Sequence, residues 1–106
     1  EPATEATLRS FTLTKSSVDV PIITELGGEE KCETALTHIF ALLEQQKDGK
    51  EGSLLVNGYA NIFYIRDAEG TLRAVYAYWY GHWRVGASQV DDPGGWDDGR
   101  RVFSRN

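Results

Sequence analysis

Three strand-like runs follow one another in the second half of the chain, "SLLVNGYANIFYIRD", "TLRAVYAYWY" and "HWRVGASQV", with only short glycine-containing breaks between them. This succession limits the fold more than any other feature. Runs this short, rich in β-branched and aromatic residues, read as strands, and strands joined by tight turns pair antiparallel. Asp67-Ala68-Glu69-Gly70 has the residues of a hairpin turn, with Asp first and Gly where a left-handed backbone is needed. Gly81-His82 suits a two-residue turn that would set Tyr80 opposite Trp83.

Those two turns fix an expected register. Tyr64 faces Ala74 and Ile62 faces Tyr76, while Tyr78 faces Val85, Tyr76 faces Ala87 and Trp79 faces Arg84. Alternation then sorts the side chains. One face receives Phe63, Ile65, Val75, Ala77, Trp79, Arg84 and Gly86. The other receives Ile62, Tyr64, Ala74, Tyr76, Tyr78, Tyr80, Trp83, Val85 and Ala87.

Upstream, Leu8–Thr14 reads as a strand. Val18–Glu25 alternates at Val18, Val20 and Ile22 and reads as an edge strand, because Pro21 removes a ladder donor. From Glu29 to Gln46, Cys32, Ala35, Leu36, Ile39, Leu42 and Leu43 recur at helical spacing, with acidic residues in the first turn and Gly49 beyond the end. "RRVFSRN" is a possible last short strand. The fold expected is α+β, an antiparallel sheet of about four to six strands with one amphipathic helix on one face, in the order β-β-α-β-β-β. Residues 1–7 are expected to fray, and residues 8–106 to form one domain.

The helix stripe is assigned to the Phe63 face, where Ala77 and Gly86 leave room for close approach. The tyrosine face poses the functional question. Each aromatic buries roughly 150–250 Å², and an exposed patch on a soluble monomer rarely exceeds roughly 600 Å². The cover is expected to be the N-terminal strands or the C-terminal tail, a second copy of the chain, or a ligand or partner.

Charge and composition narrow the choices. The net charge of −5 comes entirely from residues 1–57, and residues 58–106 balance. An acidic chain is a poor binder of nucleic acid, whose affinity rests on Lys and Arg at phosphates. No apolar run approaches the roughly 20 residues of a membrane span, and the first ten residues lack the segments of a signal peptide. The single cysteine, Cys32, points mildly to a reducing compartment, so a cytoplasmic location is expected.

The chemistry-bearing residues are sparse. His38 lies off the apolar helix stripe and His82 in a turn, with no metal-ligand spacing around either. Cys32 lies on the stripe, where a thiol is ordinarily buried and inert. Asp91, Asp92, Asp97 and Asp98 crowd one loop, but their spacing is not that of a calcium loop. Trp96, in the same loop, either plugs into the core or stands at the mouth of a site. The sequence therefore predicts no catalytic residue, metal or cofactor.

It predicts instead a non-enzymatic binding or self-association domain using Tyr64, Tyr76, Tyr78, Tyr80, Trp83 and Trp96, with a homodimer or protein partner as its complement. The alternative is a carbohydrate or small-ligand domain with a pocket near Trp83 and Trp96, to which Asp97, Asp98 or Arg84 lend polar contacts.

Overall fold

The computed structural model describes residues 8–90 and 95–105. Its elements are β1 (Leu8–Thr12), α1 (Asp19–Glu25), α2 (Glu29–Cys32), β2 (Glu33–Thr34), α3 (Leu36–Gln45), β3 (Asn61–Arg66), β4 (Leu72–Trp79), β5 (Trp83–Gln89) and β6 (Arg101–Arg105). The sheet has six strands in the order β1-β6-β3-β4-β5, with the short β2 beside β3. Most pairings are antiparallel, and β3 takes β6 and β2 as parallel neighbours on one side. This is the α+β class read from the sequence. Its elements depart from the expected order in two places.

Val18–Glu25, expected as an edge strand, is the helix α1. Pro21 occupies the third helical position, inside the first turn, where its missing N–H has no intrahelical partner to lose. The proline expected to demote a strand lies in the first turn of a helix instead. Ile22 and Ile23 are buried beneath it.

The helix expected over 29–46 is cut in two. At Glu33 and Thr34 the backbone turns extended and pairs in parallel with Tyr64 and Ile65 of β3. The chain thereby crosses from one face of the sheet to the other. Cys32 of α2 packs with Ile22, Ile23, Ile62, Tyr64, Leu72, Ala74 and Val102. Ile39 and Leu42 of α3 pack on the opposite face with Leu54, Phe63, Ile65, Val75 and Phe103. Phe63 and Phe103 stack at 4.6 Å between centroids. Helices thus cover both faces, α1 and α2 one and α3 the other.

Buried polar side chains tie down the long connection before β3. Gln46 donates to the Lys50 and Leu54 carbonyls and accepts the Leu54 N–H. Asn61 accepts the Leu55 N–H and donates to the Leu55 and Ala77 carbonyls. No described helix is long and apolar enough to cross a membrane.

The first hairpin forms as expected, with Tyr64 opposite Ala74 and Ile62 opposite Tyr76. Asp67 caps its turn by accepting the N–H groups of Glu69 and Thr71, both at 2.9 Å, and Gly70 takes φ +84°. The second hairpin is one residue out of the expected register. Trp79, not Tyr80, faces Trp83, and Tyr80-Gly81-His82 form a three-residue loop with Gly81 at φ +77°. A one-residue slip exchanges the two faces of a strand. Trp83, Val85 and Ala87 therefore join the α3 face, and Arg84 and Gly86 move to the tyrosine face. Tertiary contacts outweigh the local turn preference here: the Trp83 indole donates to the Gln46 carbonyl at 2.8 Å and meets Trp79 edge-on at 5.4 Å.

Candidate functional site

The site grows out of a latch around Asp19. This first residue of α1 is 1% exposed, and its Oδ1 accepts from the Tyr64 hydroxyl at 2.6 Å and from the Trp96 indole at 2.7 Å. A second clamp is made of backbone: Ser17 and Trp96 exchange N–H···O bonds at 2.9 and 2.8 Å. Gly95 takes φ +63° beside the Ser17 carbonyl, and a Cβ there would lie 2.7 Å from that oxygen. Together these contacts press the Trp96 ring against the sheet.

Trp96 meets Tyr76 edge-on at 5.4 Å, and Tyr76 lies nearly parallel to Tyr78 at 6.4 Å. Tyr76 owes its position to Gly86, whose missing Cβ would stand 2.5 Å from the tyrosine oxygen. The three rings line a cleft of about 290 Å³, closed by Gly58, Ala60, Gly95, Asp97 and Arg100. Charged groups form its rim. Arg100 lies over the Tyr59 ring at 4.1 Å, donates to the Asp98 carbonyl and comes within 3.9 Å of Asp97. Asp97 also accepts from the Ser16 hydroxyl at 3.4 Å.

A larger hollow of about 580 Å³ lies between residues 11–17 and α1. Phe11 is the one aromatic in its wall, and much of the rest is Thr, Ser and aliphatic surface. Volume alone does not make it the better site. The smaller cleft is where aromatic rings and opposite charges converge.

The six residues singled out from sequence have four fates. Tyr76, Tyr78 and Trp96 come together in the cleft. Tyr64 is fully buried, and burial, followed by the hydrogen bond and charge of Asp19, raises its hydroxyl far above the ordinary tyrosine range. It belongs to the core and is withdrawn from the surface set. Tyr80 is 71% exposed in the hairpin loop, with Arg84 over its ring at 5.4 Å. Trp83 sits on the opposite face from Trp96, so the pocket expected between them does not exist. The continuous tyrosine face is likewise broken up, since α1, α2 and Trp96 cover its centre.

The sequence reading does not single out Asp19, because the alternation of Val18, Val20 and Ile22 around it predicts a strand. The available signal was an acid two residues before Pro21, a common opening of a helix. Asp19 is sealed beneath Trp96 and fixes that ring. The remaining chemistry-bearing groups are structural in their contacts. Burial, then the charge of Glu29, pushes the Cys32 thiol up to about 11, and it points at the Glu29 carbonyl. His38 accepts the Ala35 N–H at the start of α3. Among the described residues no cluster of acids, His and Cys could hold a metal. Asp91 and Asp92 lie outside the described residues.

No family model matches the chain, and neither a curated protein nor a solved structure matches it.

Proposed function

We propose that this chain is a non-enzymatic binding domain whose recognition site is the Tyr76–Tyr78–Trp96 cleft, and that its ligand is a single sugar ring. The observation that carries this reading is the immobilised Trp96. Its indole N–H is consumed by Asp19, leaving its ring as a fixed apolar wall beside two tyrosines. Preorganised aromatic surface lowers the ordering cost of binding. A sugar ring has an apolar C–H face to lay on such a wall and a rim of hydroxyls to offer elsewhere. Asp97 can accept from hydroxyls, and Arg100 has more N–H donors than its internal contacts use. The volume is at the small end of ligand pockets, roughly 300–1,000 Å³, which suits one ring. The same reading places the domain in the cytoplasm, supported by its lone buried thiol.

The test is calorimetric titration with a panel of mono- and disaccharides, on the native chain and on Tyr78→Ala and Asp97→Ala. A binding sugar should lose at least roughly tenfold in affinity in each variant, with little change in unfolding midpoint. Silence across the whole panel, or full binding by Tyr78→Ala, would reject the reading.

A further inference from the structure

The strand β5 ends the sheet, and no described residue pairs with its outer edge. Native edge strands are commonly blunted by lysine, proline or a bulge. β5 has none of these: it pairs residue for residue with β4 from Trp83 to Gln89, and Arg84 is its only charge. Val85, 50% exposed, stands one residue from its midpoint.

The direction of its free backbone groups follows from the hairpin. The Tyr80 N–H bonds to the His82 carbonyl, so that pair is hydrogen-bonded. Pairs alternate along an antiparallel ladder, which makes Tyr78–Arg84, Tyr76–Gly86 and Ala74–Ser88 the bonded pairs. The first hairpin gives the same answer independently. There the Asp67 N–H bonds to the Thr71 carbonyl, and alternation sends the groups of Arg73, Val75 and Ala77 towards β3. That leaves the groups of Ala74, Tyr76 and Tyr78 for β5. The N–H and C=O groups of Trp83, Val85, Ala87 and Gln89 therefore point outward.

From this pattern we infer that β5 is a self-pairing edge, joining antiparallel to β5 of a second copy about a twofold axis at Gly86. The pattern is symmetric about that residue. In this register Trp83 meets Gln89 of the second copy and Val85 meets Ala87 of the second copy. All four outward residues exchange both bonds, about eight in total. A shift of two residues in either direction loses at least one of these pairs. The charge fits as well: Arg84 falls opposite the uncharged Ser88 of the second copy, never opposite its own equivalent. At the axis, two glycines meet where paired strands approach most closely. On the α3 face Val85 and Ala87 of the two copies close over one another, covering the exposed valine. The result is one sheet running through both copies. The inference does not rest on the cleft.

Sedimentation equilibrium over a concentration series tests it, on the native chain, Ala87→Pro and Val85→Lys. Proline at 87 removes an outward N–H and leaves the ladder to β4 intact, and such a position tolerates it. Lysine at 85 leaves the backbone untouched and places a charge in the contact. The native chain should fit a monomer–dimer equilibrium, and each variant should weaken it by at least tenfold while keeping its circular dichroism. Should Ala87→Pro unfold, Val85→Lys decides. A native chain that is monomeric at every concentration overturns the proposal, and so does a dimer that persists in Val85→Lys. Sugar binding has no part in either readout, so the two proposals fail separately.

Discussion

At Asp19 one carboxylate oxygen satisfies two buried donors that come from separate elements, Tyr64 in the middle of the sheet and Trp96 in the loop before β6. Removing the acceptor strands both. Asp19→Ala should cost roughly 3 kcal/mol or more, the sum expected for two buried groups left unpaired. Asp19→Asn keeps an oxygen in place and should cost less. Urea unfolding measures both, and near-ultraviolet circular dichroism should show Trp96 loosened in the alanine variant. Gly86 works in the opposite sense, by what it lacks. A Cβ there would meet the Tyr76 oxygen at 2.5 Å and its ring carbons at 2.6 and 2.9 Å. Gly86→Ala should therefore cost about 1–3 kcal/mol and displace the ring that floors the cleft. The unfolding midpoint and the tyrosine ring resonances together check it.

Among the elements, α3 begins poorly. Its N-cap is Ala35, whose backbone has the extended geometry of a cap but whose side chain cannot accept a bond. Ala35→Ser should stabilise the protein by about 0.5–1 kcal/mol, raising the melting temperature by a few degrees. With no capping side chain at Ala35, nothing local marks the start of α3, and spacing alone predicts one helix over 29–46. The 3.6-residue spacing runs without interruption from Cys32 to Leu43, and only the pairing of Glu33 and Thr34 with β3, about 30 residues away, divides it. Periodicity is local and carries no sign of such a partner. The Asp67–Gly70 turn was legible because its bonds lie within the turn itself. The second turn was not, because the position of Trp83 is decided by Gln46 on another element. The cleft divides the same way. Tyr76 and Tyr78 could be placed on one face from alternation alone, whereas the arrival of Trp96 beside them depends on Ser17 and Asp19, neither visible as its neighbour in the sequence.

For the molecule as a whole, the two strongly shifted groups give alkaline pH a definite effect. Cys32 titrates from its ordinary 9.0 up to about 11 on folding, and Tyr64 rises from 10.0. Both are neutral when protonated. Above pH 9 the unfolded chain sheds these protons while the folded chain holds them, so fewer protons are bound unfolded and stability falls as pH rises. The loss from Cys32 spans pH 9 to about 11, and that from Tyr64 sets in above pH 10. Urea midpoints at pH 7, 9 and 10.5 should decline in that order. Tyr64→Phe, less stable at neutral pH for want of a buried hydrogen bond, should show a shallower decline above pH 10. The strand order has a consequence for how the protein is made. β1 is synthesised long before its sheet neighbour β6, which follows some 90 residues later and also completes one side of β3. Synthesis therefore runs almost to residue 105 with the sheet open along its centre, and the sheet closes only once β6 has been made. A nascent chain stalled before Arg101 should remain protease-sensitive throughout, and one stalled far enough downstream to free Arg101–Arg105 from the exit tunnel should become resistant in a single step.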